Sequence, residues 1–455
     1  MRQREILKHI PDVHDPEFRR ERFRKIQGFL QRVFDRSPLY REKFAAVGRT
    51  PADVRTWEDF RALGFALTKA DERRAQEESL AAGGHPLGTH VCAPVDEVLI
   101  ATGTSGTTGM PAFTYQYTRR DLEATVELWR RAALWMGLEP GHLVFDVMGY
   151  SMGPVGAPAL HAFWQLGIRA HPVPAESGSQ RILYLMNLFR PDFLICTPSL
   201  AEYLAERAPS VIGKPVGDLR LKGIMVIGEP GGGLPEFRQK IREAYGARLY
   251  DAQMGAVGIC NISCDAEEYT GMHQLAPDLQ VWPEDLVSLD RDEPIAVEHG
   301  AVGRMLLTSF EQEARPALKL DMGDVWQVWT EPCVCGFRGL RYSIIGRTDD
   351  MLIVKGVNVY PSALKDVIEA FRPRTTGYFR ILLDTPPPMV KPPLRLRVEY
   401  SGTLSEAEIA RLAREIRDRM HGTLKVGPTL EMVAPGTLPR AELKSSYVER
   451  LDRLP

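Results

Sequence analysis

Residues 102–111 read T-G-T-S-G-T-T-G-M-P, directly after the apolar run 98–101 and ahead of a helical pattern that begins near Thr118. Gly103, Gly106 and Gly109 let the backbone turn its N–H groups inward, while Thr104, Ser105, Thr107 and Thr108 add hydroxyl donors. Dipoles arranged in this way solvate oxyanions without a fixed charge, which suits a phosphate chain. The G-K-[ST] ending of a Walker loop is missing, and Met110 follows the last glycine. Taken alone, the tract favours the plainer reading of a flexible surface loop.

Outward from this loop, short apolar runs alternate with helical patterns. Residues 143–148 read as a strand, 157–166 as a helix, 179–190 as a helix and 193–197 as a strand. Residues 223–227 read as a strand, 235–245 as a helix and 248–250 as the start of another strand. Upstream, residues 15–36 form an arginine-rich helical pattern with Phe18, Phe23, Phe29 and Phe34 among its apolar positions. The alternation predicts an α/β fold with largely parallel, layered sheets and helices outside. Ligands in such folds gather at the C-terminal ends of strands. After residue 346 the pattern changes. A strand-and-loop at 351–360 leads to a helix at 362–371, strands at 378–384 and 394–400, a helix at 405–420 and a strand near 430–433. That β-α-β-β-α-β order predicts a small ferredoxin-like α+β domain, giving a large domain 1–346 and a small one 347–455.

The 455 residues leave ample chain for a buried core. Net charge is −2, with 44% hydrophobic and 25% charged residues, so nothing points to a nucleic-acid or anionic-membrane partner. The N-terminus lacks an apolar stretch of signal-peptide length, and no segment reaches the ~18 apolar residues of a membrane helix. A cytoplasmic enzyme, monomer or homodimer, is the expectation. Six cysteines are too few for a disulfide scaffold in so long a chain. Cys264, His273, Cys333 and Cys335 make a plausible closed, tetrahedral Zn²⁺ site of structural type. Cys260 is an alternative ligand, and unrelated reduced cysteines are the plainer reading.

Four segments taken in order resemble those of the adenylate-forming superfamily. The loop at 102–111 is similar to its phosphate loop, and L-K-L-D-M-G-D-V (318–325) to its Y-R-T-G-D segment. G-R-T-D-D-M-L-I-V-K-G-V-N-V-Y-P (346–361) resembles its hinge segment. P-G-T-L-P-R-A-E-L-K (435–444) resembles the branch of phenylacetate-CoA and other aryl-CoA ligases. The resemblance runs from about residue 15 to the C-terminus. It implies a small C-terminal domain that rotates on the larger one, and ATP, Mg²⁺, CoA and a carboxylic acid as ligands.

Adenylation joins a carboxylate to the α-phosphate of ATP, so the site must neutralise anion against anion. By the resemblance, Thr104, Ser105, Gly106, Thr107, Thr108 and Gly109 hold the β- and γ-phosphates. Asp324 accepts the ribose hydroxyls, and Arg347 adds a forked donor near ribose and phosphates. Lys444 is the adenylating lysine, an ammonium that bridges carboxylate and phosphate as charge develops. Lys355 belongs to the face presented during thioester formation, and Asp349 is the pivot. Gly228, Glu229 and Pro230 resemble the G-A-E-P segment that lines the adenine and acyl pockets; a strand-end turn is the plainer reading. Tyr150, Ser151, Met152 and Gly153 fall where the resemblance puts an acyl-pocket segment.

One departure stands out. Tyr250-Asp251-Ala252-Gln253-Met254 occupies the place of Y-G-L-S-E, so Met254 stands where a glutamate supports magnesium. Methionine cannot orient water around a hard cation. The metal is then held by phosphates, water and a group such as Asp251, or adenylation is weak. Asp321, where an arginine is usual, is a second departure. Three functions stay open: an ATP-dependent ligase joining an aromatic or arylalkanoic acid to CoA, an adenylating enzyme with an amine or carrier-protein acceptor, and a non-catalytic nucleotide or acyl binder.

Overall fold

The computed structural model describes residues 7, 10–104, 112–150, 155–229, 231–254, 259–281, 284–289, 291, 293–348, 350–354, 357–385, 387–402, 404–439 and 447–451. Asp15 starts the first helix by accepting the amides of Glu17 (2.9 Å) and Phe18 (2.8 Å), with Pro16 in the first turn, where its missing N–H is not needed. This helix, α1 (Pro16–Arg36), is followed by α2 (Pro38–Ala46), α3 (Trp57–Arg61) and α4 (Lys69–Ala81). Ile26, Phe29, Leu30 and Val33 of α1 are buried in an apolar core with Leu307, Leu318 and Trp326 from far along the chain.

The Ser/Thr/Gly stretch joins β1 (Ile100–Thr104) to β2 (Ala112–Tyr117), which pair antiparallel with Ile100 opposite Tyr117. The second strand was not foreseen between the loop and the helix. There follow α5 (Arg119–Met136), β3 (Leu143–Asp146), α6 (Gly156–Gln165), β4 (Arg169–Pro172), α7 (Ser179–Phe189), β5 (Phe193–Cys196), α8 (Pro198–Ile212), β6 (Gly223–Ile227), α9 (Pro235–Tyr245) and β7 (Arg248–Met254). The strands lie in the order β4-β3-β5-β6-β7, all parallel. Residues of α5 and α6 fill one face and those of α7, α8 and α9 the other.

Parallel pairing ends at β7. The following strands are β8 (Cys260–Ser263), β9 (Met272–Gln274), β10 (Gln280–Val281), β11 (Leu286–Val287), β12 (Val302–Ser309), β13 (Ala317–Trp329) and β14 (Arg341–Arg347). They extend the same sheet antiparallel, in the order β10-β12-β13-β14-β9-β8-β7, with β11 on β12. The connections here are too short to carry a crossover helix, and antiparallel neighbours need none. The large sheet is therefore mixed rather than largely parallel.

The small C-terminal α/β domain holds β15 (Leu352–Val354), β16 (Val357–Val359), α10 (Pro361–Glu369), β17 (Thr375–Leu383), β18 (Met389–Val390), β19 (Arg395–Tyr400), α11 (Glu406–Leu424), β20 (Thr429–Val433) and β21 (Val448–Arg450). The expected order of elements is present. Its first strand belongs to a separate sheet, β16-β15-β18, and β21 completes a four-stranded sheet, β20-β19-β17-β21. Leu364, Ile368, Leu412 and Ile416 pack α10 and α11 onto Ile381, Leu396 and Val398.

Candidate functional site

A cavity of about 430 Å³ opens at the C-terminal ends of β6 and β7 and is closed by β13, β14 and α10. That is where ligands bind in open parallel sheets. Gly228, Glu229, Asp251, Met254, Asp324 and Arg347, nominated from separate stretches of sequence, all line it. Gly228 takes φ +90°, a left-handed value that turns the chain sharply at the end of β6. Glu229 then reaches back, its Oε2 accepting the hydroxyl of Ser199 at 2.7 Å and its amide at 3.3 Å.

Asp324 and Arg347 are opposite each other on β13 and β14. Arg347 Nη1 donates to Asp324 Oδ1 at 2.6 Å, with both side chains largely shielded from solvent. The neighbouring turn is pinned by Thr348, whose amide (2.7 Å) and hydroxyl (3.1 Å) both donate to the carbonyl of Gly323. The pair thus holds a carboxylate and a guanidinium side by side on the cavity wall. Asp321 is drawn away from it: Arg304 pairs with its carboxylate, and its Oδ1 caps the Gly323 amide at 2.8 Å. Its departure from the usual arginine is a structural substitution.

Asp251 sits deeper. The Tyr269 hydroxyl donates to its Oδ2 at 2.7 Å, and a Cβ added at Gly232 would come within 2.2 Å of its Oδ1. Burial raises its pKa; Tyr269 and Arg238 oppose that without overcoming it. Arg238 lies 5.2 Å over the Tyr269 ring and donates to the carbonyls of Gly232 (3.2 Å) and Leu249 (3.3 Å). Asp251 is therefore wedged under the 231–233 turn. Gln253 beside it also lines the cavity, and its buried Oε1 has no hydrogen-bond partner among the described residues. Sequence reading missed Tyr269, Arg238, Trp329 and the α10 residues Ser362, Ala363 and Asp366, all on or behind this wall.

Two nominated side chains do not join the group. Tyr250 points to the opposite face of β7, where it is fully buried and donates to the carbonyl of Met136 at 3.3 Å. Ala252 and Met254, on the same face of β7 but nearer its C-terminal end, do line the cavity, so Tyr250 is left out by its depth along the strand. Tyr150 lies against Gly156, near the cavity-lining Val155 rather than in the lining itself. Ser105, Gly106, Thr107, Thr108, Gly109, Ser151, Met152, Gly153, Pro230, Asp349, Lys355 and Lys444 lie outside the described residues, as does the Thr104 side chain.

A second group lies apart from the cavity. Cys264, His273, Cys333 and Cys335 bring their ligand atoms within 4.8 Å of one another. His273 Nδ1 faces the Ile262 carbonyl at 3.1 Å, which leaves Nε2 toward Cys335 Sγ at 3.4 Å. A second ring nitrogen fixed on a backbone carbonyl is the usual support of a histidine ligand. Three thiols and one imidazole suit a structural metal. Cys260 is not in the cluster: its Sγ faces the Leu128 carbonyl at 3.3 Å.

Residues 356–450 match the AMP-binding enzyme C-terminal domain. Over its length the chain is 29% identical to phenylacetate-coenzyme A ligase of Thermus thermophilus, covering 96% of both chains. It is 25% identical to the ligase of the same name from Escherichia coli, covering 93% of this chain and 92% of that one. Over nearly its whole length the chain is thus similar to the phenylacetate-CoA ligases, which are adenylate-forming enzymes. Among solved structures it resembles 2-hydroxyisobutyryl-CoA ligase in the postadenylation state, with TM-score 0.82 and 27% identity over 94% of this chain and 88% of that one. Against the open and thioesterification states of that protein the TM-score is 0.68, although 93% and 96% of this chain are covered. Asp324, Arg347 and Glu229 line the cavity, and no described helix is long and apolar enough to cross a membrane.

Proposed function

We propose that the protein is an ATP-dependent carboxylate–CoA ligase that works through an acyl-adenylate on an aromatic or arylalkanoic acid. The observation that carries this reading is the gathering of Glu229, Asp324 and Arg347 on one cavity between the large sheet and α10. Asp324 receives the ribose hydroxyls, and Arg347 holds that carboxylate in place. The loop from Thr104 to Gly109 wraps the β- and γ-phosphates. Val155, Ile227, Met254, Met272 and Met322 give the cavity an apolar side suited to a flat acyl group. Met254, 3% exposed, belongs to that side.

The acid attacks the α-phosphorus, the bond to the bridging oxygen breaks, and pyrophosphate leaves. Lys444 stabilises the charge that develops on the phosphoryl oxygens. The small domain then turns about Asp349, bringing Lys355 to the site, and the CoA thiolate takes the acyl group with AMP as leaving group. The closer likeness to a postadenylation structure supports placing the present arrangement in the adenylation half of this cycle. Magnesium would neutralise the phosphates; with Asp251 engaged by Tyr269, the neutral oxygen of Gln253 is the protein donor best fitted to support its water shell. The Cys264–His273–Cys333–Cys335 cluster would hold Zn²⁺ and tie the β8–β9 connection to the segment before β14.

Lys444→Ala tests the assignment. Acid-dependent pyrophosphate release should vanish while ATP binding stays nearly intact, because the ammonium acts on the transition state more than on the ground state. Unchanged turnover would sink it.

A further inference from the structure

Behind the cavity wall a cluster of buried charge straddles the two domains. Glu202 of α8, 5% exposed, accepts Lys240 of α9 at 3.1 Å through Oε1. The same oxygen accepts Arg372 Nη2 at 3.4 Å, and Oε2 stands 4.0 Å from Lys365 Nζ. Arg372 and Lys365 come from the small domain, where Glu369, 1% exposed, pairs with Arg372. Lys240 also reaches Glu206 at 3.0 Å, and the Tyr378 hydroxyl lies 3.5 Å from Glu206 Oε2. Burial would raise the pKa of Glu202, but Lys365, Lys240 and Arg372 outweigh it and keep the carboxylate ionised.

Two features separate this cluster from an ordinary structural salt bridge. First, it seats the helix that closes the cavity. Ser362, Ala363 and Asp366 line the cavity from α10, and Lys365 on the same helix lies 3.6 Å from where a Gly231 Cβ would stand. Second, it can come apart without stranding a charge. If the domains separate, Glu202 and Glu206 keep Lys240, Arg372 keeps Glu369, and Lys365 keeps the charge of Glu369 nearby on its own helix. The large-domain half is left with one negative charge in excess and the small-domain half with one positive, so the two attract. The heavy penalty for a lone buried ion is avoided in both positions.

We propose that Glu202, Lys365 and Arg372 form a releasable electrostatic latch that holds the small domain in the adenylation arrangement and sets the balance between adenylation and thioester formation. The latch rests on the CoA-ligase reading above. Its members are positioning residues and touch no reacting atom.

The test separates the half-reactions. In Glu202→Gln and Lys365→Met, acid-dependent ATP–pyrophosphate exchange should slow by about tenfold, the scale of a contact that couples two states. Single-turnover transfer from preformed acyl-adenylate to CoA should hold or quicken. The double variant should be no slower than the worse single one, since both remove one interaction. Arg372→Lys, which keeps the charge, should retain most of the exchange rate. Small-angle scattering of the variants should show a larger radius of gyration than wild type. Equal loss in both half-reactions, or unchanged exchange and scattering, overturns the latch. Absence of exchange in the wild type with every acid counts against the ligase reading alone, and the scattering comparison then decides the latch.

Discussion

Asp324→Asn keeps the volume of the side chain and removes its charge, so two consequences can be read apart. In the protein alone, a 2.6 Å charge-assisted bond from Arg347 becomes a neutral-acceptor bond between two shielded side chains. Hydrogen bonds to charged groups contribute about 1.5–3 kcal/mol against about 1 for neutral ones, so folding should weaken by about 1 kcal/mol. On the proposed reading the carboxylate also accepts the ribose hydroxyls in the complex, and loss of charge assistance on two such bonds removes about 2 kcal/mol more. That corresponds to roughly 30-fold weaker ATP binding. Isothermal titration with ATP and urea unfolding of the ligand-free protein read the two numbers separately. A variant with the expected stability loss but wild-type ATP affinity would show that the pair braces β13 against β14 and does not meet the nucleotide.

Three further outcomes follow from named contacts. Purified protein should carry about one zinc per chain, and Cys333→Ser should lower both metal content and unfolding free energy, because metal binding adds to folding; full stability in metal-free protein would refute a bound ion. Met254→Glu should lower the Mg²⁺ concentration for half-maximal adenylation at some cost in acid affinity, since a carboxylate must be desolvated on the apolar side; weakened acid binding with unchanged magnesium dependence would leave Met254 an acyl-pocket residue only. Burial pushes the pKa of Asp146 up to about 7, with Tyr150 and Met148 opposing. Its carboxyl keeps its proton in the folded state up to that pH but loses it near pH 4 when unfolded, so stability should fall as pH rises between about 4 and 7. Asp146→Asn should remove that fall and stabilise the protein at pH 8 by at most about 4 kcal/mol; an unchanged slope in chemical denaturation would contradict it.

The sequence carried the local half of the architecture. Most of the alternation from β3 to β7 was legible because its helices carry an apolar face, and α9 ends at Gly246 in a left-handed turn; β4 and α8 were not read from the sequence. Pairing between distant strands was not. His273 of β9 faces Arg341 of β14, and no periodicity records such a partner. The same limit hid half of the site. Asp324 and Arg347 were named because each lies in a recognisable segment, but their opposition across two strands is a tertiary fact. Tyr269, Arg238 and Glu202 lie in no such segment, and their contacts reach across turns or domains. Tyr250 shows the converse: its segment was recognised, yet its side chain is buried at the start of β7 against Met136, while Asp251 and Met254 reach the cavity.

Mass spectrometry of single-turnover mixtures tests the central claim most directly. Protein, ATP and Mg²⁺ are incubated with each of a panel of aromatic and arylalkanoic acids, first without and then with CoA. The account predicts that at least one acid yields its acyl-adenylate and pyrophosphate without CoA, and that adding CoA converts the adenylate to acyl-CoA and AMP. Adenylate that persists in the presence of CoA, or the absence of any adenylate across the panel, would contradict it.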